Sequence, residues 1–169
     1  MKEKKVVRGI VIREVSYGEA DKLIDLLTQE YGIITLSAKH SRKPKNNMLL
    51  ATSALTYGEY EISGNDSSRY YINSANVIEA FMPIRSDIVL LTYCAHMCDI
   101  VSDAMRDASS AKEVFKLVLY ALERLSRPSP DPDLIIHTFE LKLLFMLGFT
   151  PVLDGCTLCV HSCDKRDQK

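Results

Sequence analysis

The spacing of apolar residues changes near Met82-Pro83, and this change limits the folds open to the chain. Before it, apolar residues occur in short β-type runs between turn residues, and after it they recur at helical spacing. The β-type runs are Val6 to Val15, Ile33 to Ala38, Leu55 to Ile62 and Arg69 to Ile78. Several short strands predict a small closed or nearly closed barrel, because closure removes exposed sheet edges. We expect an α+β, multi-domain protein, with a barrel over residues 1–81 and a helical domain over residues 82–169.

One segment of the barrel half has an ambiguous pattern. Four of its residues lie at helical spacing ahead of Gly32, a plausible helix cap: Leu23, Leu26, Leu27 and Glu30. Periodicity alone slightly favours a helix here, whereas a barrel would use the segment as a strand. The residues by themselves leave both interpretations open.

Two amphipathic helices are predicted after Met82-Pro83. Ser86 is a candidate N-cap for the first helix, and its expected apolar stripe is Ile88, Leu91, Ala95, Cys98 and Met105. The run Ser110-Ala111-Lys112-Glu113 has capping-box spacing, which predicts that the second helix includes Val114 to Leu125.

A third helix is predicted after the proline-rich linker at 127–132. Asp131 is its expected N-cap, Pro132 takes the first helical position, and Gly148 stops the helix after Leu147. Apolar residues cover most of its circumference, which predicts a buried helix at the centre of the second core. These residues are Leu134, Ile135, Phe139, Leu141, Leu143, Leu144, Phe145 and Met146.

Positive charge is concentrated in the N-terminal part of the chain. The first 45 residues hold ten Lys/Arg and six Asp/Glu, net +4, and the remaining 124 hold eleven and sixteen, net −5, giving the total of −1. Lys39, Arg42, Lys43 and Lys45 flank Pro44, which prevents a helix or a central strand there. Such a loop indicates a polyanion partner, with Arg8 and Arg13 as further candidate contacts. The alternative is a solvated hairpin loop.

Composition narrows the class of protein. The 169 residues are 47% hydrophobic and 25% charged, which is typical of a soluble globular protein. No apolar run approaches the roughly 20 residues of a membrane helix, and the N-terminal Met-Lys-Glu-Lys-Lys leads into a strand pattern instead of a signal-peptide core. Five cysteines do not resemble a disulfide framework, so we expect a reducing, cytoplasmic location.

A Cys-x-x-Cys pair lies near the C-terminus. Cys156 and Cys159 can both reach one tetrahedral zinc ion, and His161 and Cys163 are the residues left to complete a ligand set. A redox role would call for a thioredoxin-like βαβ context, whereas this pair follows a helix and a proline-containing turn. Zinc is the favoured interpretation, with redox chemistry and unpaired thiols as alternatives.

Other candidate residues carry weaker signals. Tyr57, Tyr60, Tyr70 and Tyr71 are candidate base-stacking platforms, although most tyrosines in such strands pack across the sheet. Cys94 and Cys98 lie one helical turn apart, with His96 on another face, which favours buried structural thiols over a metal site. His137 is interpreted as a packed or capping residue. Glu19 and Asp21 are expected to fix a turn beside Lys22 and balance its charge.

A series of motifs occurs in a fixed order along the chain. The first are Gly9-Ile10-Val11-Ile12-Arg13, Tyr17-Gly18-Glu19-Ala20-Asp21, Tyr31-Gly32-Ile33-Ile34 and the run Ala38 to Lys45. Later motifs are Glu79 to Arg85, Phe139 to Leu144, Leu147 to Pro151, Asp154 and Cys156. Each motif is weak alone, but their joint order and spacing are specific and span nearly the whole chain. In this order and spacing the chain resembles the bacterial recombination mediator family RecO.

The resemblance implies an N-terminal OB-type barrel followed by a helical domain with a zinc knuckle, and it makes Leu23 to Thr28 a strand. It implies binding of single- and double-stranded DNA, annealing of complementary strands and help in loading recombinase, without enzymatic activity. Implied partners are the C-terminal tail of the single-strand-binding protein, the mediators RecR and RecF, and the recombinase RecA. The implied location is cytoplasmic and nucleoid-associated. Family members usually continue to a second Cys-x-x-Cys, so we expect a truncated chain with an incomplete zinc site.

Two other functions remain open at this stage. The first is a zinc-dependent protein-interaction adaptor, in which the helical half binds partner proteins and the basic loop does not bind DNA. A thiol oxidoreductase would use Cys156 and Cys159. Salt-sensitive binding to a single-stranded oligonucleotide is expected only for the mediator.

Overall fold

The N-terminal half of the protein is a closed five-stranded barrel in the computed structural model, which describes residues 3–39, 41, 48–64, 70–105, 111–128, 131–149 and 151. Its strands are β1 (Glu3–Tyr17), β2 (Asp21–Thr28), β3 (Gly32–Ala38), β4 (Tyr57–Gly64) and β5 (Tyr70–Glu79), and a short helix α1 (Met48–Ala51) precedes β4. The strand order is β1-β2-β3-β5-β4, closed by the pairing of β1 with β4. This arrangement confirms the predicted OB-type barrel.

Strand β1 closes the barrel by pairing with two different strands. Its first part pairs with β4 and its second part with β2, and Gly9 lies opposite both Gly58 and Thr28 where the pairing changes. A Cβ on Gly9 would lie 2.5 Å from Leu26 Cγ, so only glycine fits at this crossing. The register also shifts shortly after Gly9, which is the kind of bulge that bends a strand around a barrel.

The ambiguous segment Leu23 to Thr28 lies in β2, as the family resemblance implied. Leu26 faces the barrel interior, while its neighbour Leu27 faces the helical layer, and both are fully buried. Because successive strand residues point to opposite faces, burial on both faces requires adjacent apolar residues. That requirement produces the spacing that resembles a helix.

Four helices follow the barrel within the described residues. They are α2 (Met82–Arg85), α3 (Ile88–Ala104), α4 (Ala111–Leu125) and α5 (Pro132–Met146). The predicted ends of α5 are confirmed, because the Asp131 side chain accepts a hydrogen bond from Leu134 N and Gly148 has a positive φ of 83°. The predicted N-cap Ser86 is wrong. Asp87 caps α3 by accepting from the backbone N–H groups of Val89 and Leu90, while Ser86 ends α2.

The predicted apolar stripe of α3 is wrong in part, because Cys98 is buried and Leu91 and Met105 pack against the core, whereas Ile88 and Ala95 are exposed. Ile88 is 76% exposed, and the buried residues are Leu90, Cys94, Met97, Cys98 and Val101. Apolar residues occur on both sides of this helix, so its sequence supports more than one stripe. The contacts with the barrel and α4 select the face that is buried.

The predicted burial of α5 at the centre of the second core is also wrong for the described part of the chain. Ile136, Phe139 and Leu143 are buried, whereas the other side of the helix is exposed at Leu134, Leu141, Leu144, Phe145 and Met146. The central helix is α4, which buries eight of its residues. Helix α5 therefore leaves an apolar face on the surface.

Barrel and helices share one hydrophobic core. Ile10, Ile12 and Leu27 of the barrel belong to the same buried cluster as the helical residues, and a second cluster fills the barrel interior. Arg85 joins the two halves, because its guanidinium donates to the carbonyl oxygens of Ala80 and Ala54 and to Thr56 Oγ1.

The division into two domains stays a prediction. Among the described helices, none combines the length and hydropathy of a membrane-spanning segment.

Candidate nucleic-acid interface

Lys39 and Tyr71 form a pair at the end of β3, in which Lys39 is exposed and Tyr71 is half-buried. Lys39 follows the last residue of β3, and its Nζ lies 5.2 Å from the centroid of the Tyr71 ring. The two come together because β3 and β5 run parallel there, with Ser37 opposite Tyr71. A cation beside an aromatic face can contact a phosphate and a base of the same strand.

The rest of the predicted basic loop lies outside the described residues. Arg42, Lys43 and Lys45 follow Lys39 in the sequence, so their role in DNA binding stays a prediction. The start of the loop is held by Ser41, a buried residue whose hydroxyl donates to the carbonyl oxygen of Ala38 at 3.1 Å.

Arg8 and Arg13, the other predicted DNA contacts, lie exposed on β1. Arg8 Nε donates to Glu59 Oε2 at 2.9 Å, and this hydrogen bond raises the pKa of Arg8. A phosphate would have to compete with that carboxylate. Arg13 lies opposite Asp25 in the β1–β2 ladder, where an acidic neighbour also reduces the local positive potential.

Lys22 is a cation that cannot contact DNA, because the fold buries its side chain. Its side chain is buried, and Nζ lies 2.6 Å from Glu14 Oε2. The ion pair that the structure shows for Lys22 is with Glu14, on the adjacent strand, and the role expected of Glu19 and Asp21 in fixing the turn and balancing charge stays a prediction. The signal missed in the sequence is strand pairing, which brings Glu14 beside Ile24 in β2.

Two of the four candidate stacking tyrosines are packing residues, so the stacking hypothesis is wrong for them. Tyr60 is fully buried and donates its hydroxyl hydrogen bond to the Ala51 carbonyl oxygen at 2.7 Å. Tyr57 packs edge-to-face on Phe115 of α4, with the ring centroids 5.9 Å apart. Both hold the barrel to neighbouring elements, in line with the usual packing role of strand tyrosines.

Tyr70 and Tyr71 point to opposite sides of β5. Tyr70 packs against the barrel core on the same side as Ile72, whereas Tyr71 faces Lys39. Tyr70 also lies near Lys5, as does Tyr31, which was not among the candidate stacking tyrosines. Two strands and one turn supply this group of three residues, so no local spacing in the sequence could have revealed it.

The cysteine and histidine candidates in the helices do not form a metal site. Cys94 and Cys98 are buried free thiols whose pKa burial raises to about 12, which confirms the structural interpretation. His96 instead lies on the exposed side of α3, and its Nε2 donates to Glu140 Oε1 at 3.1 Å. His137 is exposed beside the same carboxylate, so its predicted packed or capping role is wrong.

The predicted zinc ligands Cys156, Cys159 and Cys163 lie outside the described residues, as does His161. Their zinc binding therefore stays a prediction. Within the ranges that the structure describes, no cluster of three or more His, Cys, Asp or Glu is arranged to hold a metal ion.

A small cationic groove lies between α4 and α5. It has a volume of about 190 Å³ and is lined by apolar side chains that include Leu117, Leu134 and Phe139. Arg124 and Lys142 line the same groove, and Lys142 Nζ lies 5.8 Å from the centroid of the Tyr120 ring. An apolar cleft with cations suits a peptide that is both hydrophobic and acidic.

Comparisons with known proteins agree with this architecture. The family profile described as "Recombination protein O N terminal" matches residues 1–81, and "Recombination protein O C terminal" matches residues 85–166. A relative named DNA repair protein RecO from Acetivibrio thermocellus is 40% identical over 152 residues, covering 89% of this chain and 60% of the relative. Its namesake from Symbiobacterium thermophilum is 32% identical, covering 90% and 60%.

The chain spans about 60% of the length of these curated relatives. The two profiles meet close to the junction at which Arg85 joins the barrel to the helices. Together they cover nearly the whole sequence in the order in which the barrel and helices occur. The chain therefore belongs to the RecO family.

Proposed function

We propose that this chain binds single- and double-stranded DNA through its barrel and acts in DNA repair as a recombination mediator. The observation that carries the proposal is the pair of exposed Lys39 and half-buried Tyr71 at the end of β3, from which the sequence continues into Arg42, Lys43 and Lys45. Lysine and arginine side chains there would neutralise phosphates and release counterions. The relatives' shared name, DNA repair protein, supports the same role.

Annealing follows from charge neutralisation without a catalytic group. Two DNA strands repel each other through their phosphates, and basic side chains that contact both backbones would lower that repulsion. Phosphate contacts leave the base edges free to pair. We therefore propose strand annealing and recombinase loading as non-enzymatic activities, in the cytoplasm, with RecR, RecF and RecA as partners.

A salt series tests the DNA-binding proposal. Fluorescence anisotropy of a labelled single-stranded oligonucleotide gives log affinity against log salt for the wild type and for Arg42→Ala/Lys43→Ala/Lys45→Ala. The slope should fall by roughly two to three units, because each lost phosphate contact removes about one released counterion. Lys112→Ala/Lys116→Ala, which removes two exposed cations of α4, is the matched control and should leave the slope unchanged. An unchanged slope in the triple variant would remove the loop from the interface.

We further propose that the groove between α4 and α5 binds the acidic, hydrophobic C-terminal tail of the single-strand-binding protein. Its apolar lining would take hydrophobic side chains, while Arg124 and Lys142 would pair with the carboxylates. Arg124→Ala and Lys142→Ala should each weaken binding of a labelled tail peptide several-fold, and Lys116→Ala on α4 should not. Equal binding by all variants would exclude the groove.

The exposed apolar face of α5 favours a second candidate, a protein-interaction adaptor without direct DNA binding. An adaptor would show no salt-sensitive affinity for the oligonucleotide, so the salt series separates the two functions.

Zinc binding by Cys156, Cys159 and Cys163 has its own test. Because the ligand set is expected to be incomplete, we expect less than one zinc per chain by elemental analysis of purified protein, and a further loss in Cys156→Ser. Cys94→Ala, which removes a buried thiol of α3, should retain the metal. Zinc-free wild-type protein would show that these cysteines do not hold the ion in this chain.

A further inference from the structure

The barrel has a cavity at the end where β1 and β5 begin. It has a volume of about 220 Å³ and is lined by Lys5, Tyr31, Ile34, Ile62 and Tyr70. These residues come from four strands and from the turn between β2 and β3. Ile62 is buried and belongs to the barrel core, so the inner wall of the cavity is apolar.

A single ammonium group lies beside two aromatic rings in this cavity. Lys5 Nζ is 5.3 Å from the centroid of the Tyr31 ring and 5.8 Å from that of Tyr70. Tyr31 is 45% exposed, so part of its ring is open to solvent, while Tyr70 packs against the barrel core. The cavity therefore combines aromatic surface, an apolar wall and one positive charge.

We propose that this cavity holds one unpaired nucleobase of a single DNA strand, stacked on the Tyr31 ring, with Lys5 contacting the adjacent phosphate. The proposal rests on the proposed DNA binding by the barrel and adds a site that distinguishes single strands from duplex. In a duplex, neighbouring base pairs cover both faces of each base, so only an unpaired base offers a free face to a tyrosine ring.

Binding would exchange the contacts made in the cavity. The ammonium of Lys5 would move from the tyrosine rings to a phosphate, which is a charge-assisted contact. The vacated ring would then stack on the base, a contact that every base can make. The site would thus bind single strands without regard to sequence.

The basic loop and the cavity differ in what they recognise. Phosphate contacts by the loop serve single and double strands alike, because both carry the same backbone. The cavity would add affinity for single strands alone. A substitution of Tyr31 should therefore change the ratio of the affinity for single strands to the affinity for duplex. A general loss of positive charge would lower both affinities and would not produce this result.

The test compares Tyr31→Leu with Tyr31→Phe. Anisotropy with a labelled oligothymidine and with a blunt duplex should show about a tenfold loss of single-strand affinity for the leucine variant and no change for duplex. The phenylalanine variant keeps the ring and should retain wild-type affinity for both. The backbone N–H of Tyr31 donates to Thr28 Oγ1, a bond that both variants preserve, so the turn should remain folded.

A second measurement reports on stacking itself. The fluorescence of 2-aminopurine placed within the oligonucleotide should be quenched by the wild type and by Tyr31→Phe, and much less by Tyr31→Leu. Lys5→Gln should lower the salt slope by about one unit for single strands and leave the duplex slope unchanged.

The outcomes separate the cavity from the wider proposal. Wild-type protein that binds neither oligonucleotide would overturn DNA binding altogether. The cavity site alone would be overturned if the wild type binds both oligonucleotides and the single-strand affinity of Tyr31→Leu lies within twofold of the wild-type value. Equal losses on single strands and duplex would also overturn it, because they would show a general disturbance of the barrel.

Discussion

Strand β2 and helix α5 have a similar apolar pattern and different environments. Both carry apolar residues on more than one side, but β2 buries Leu26 and Leu27 on opposite faces, whereas α5 buries one face and exposes Leu144 and Phe145. The described helices cover the outer face of β2, and no described element covers the outer face of α5. Apolar residues around an element indicate a second contact surface, but they do not identify what supplies it.

The sharpest test of this comparison is a matched pair of leucine truncations. Leu27→Ala on β2 should lower the free energy of unfolding by about 2–5 kcal/mol, because the buried side chain leaves a cavity between barrel and helices. Leu144→Ala on α5 removes the same atoms from a side chain that is 40% exposed and should cost less than about 1 kcal/mol. Urea denaturation measures both. Equal losses would mean that the outer face of α5 is covered in solution.

The next largest effect is expected at the crossing of β1. Gly9→Ala places a Cβ 2.5 Å from Leu26 Cγ and 2.8 Å from the Leu27 carbonyl oxygen, so strands must shift, at a cost of about 1–3 kcal/mol. Gly18→Ala is a useful control, because its Cβ meets no atom within 4 Å and only the positive φ is strained, at about 1 kcal/mol. If Gly9→Ala proves no worse than the control by urea denaturation, the barrel is looser at β2 than the structure indicates.

The smallest effect concerns the exposed side of α5. Burial raises the pKa of Glu140, but hydrogen bonds from His96 and His137 outweigh it and lower the pKa overall. The resulting stabilisation is present above the ordinary carboxylate pKa and is lost as pH falls through the lowered value. Glu140→Gln should therefore cost no more than about 0.5 kcal/mol near pH 7, and the difference from wild type should vanish in acid. A difference that persists at pH values below the lowered pKa of Glu140 would contradict the assigned sign.

Local signals predicted the ends of α5, while its burial and the contacts between distant residues had to come from the fold. Asp131, Pro132 and Gly148 set the ends of α5 because capping depends on neighbouring backbone groups. Lys5, Tyr31 and Tyr70 meet only after the barrel closes, so no spacing in the sequence places them together.

The buried face of α3 shows a similar limit in the helical half. Its sequence has apolar residues on opposite sides, at Ile88 and Leu90, and packing against other elements buries only Leu90. The segment Leu23 to Thr28 needed the family resemblance, because its two-sided burial hides the alternation of a strand.

The shared core has a practical consequence for dissecting the protein. A fragment ending at residue 81 would contain all five described strands, yet it would expose Ile10, Ile12 and Leu27 to water. Each of those side chains loses about 1.5–3 kcal/mol of favourable burial when its covering helices are removed. The isolated barrel would be aggregation-prone and only weakly stable. DNA binding is therefore best measured on a chain that keeps α3 and α4.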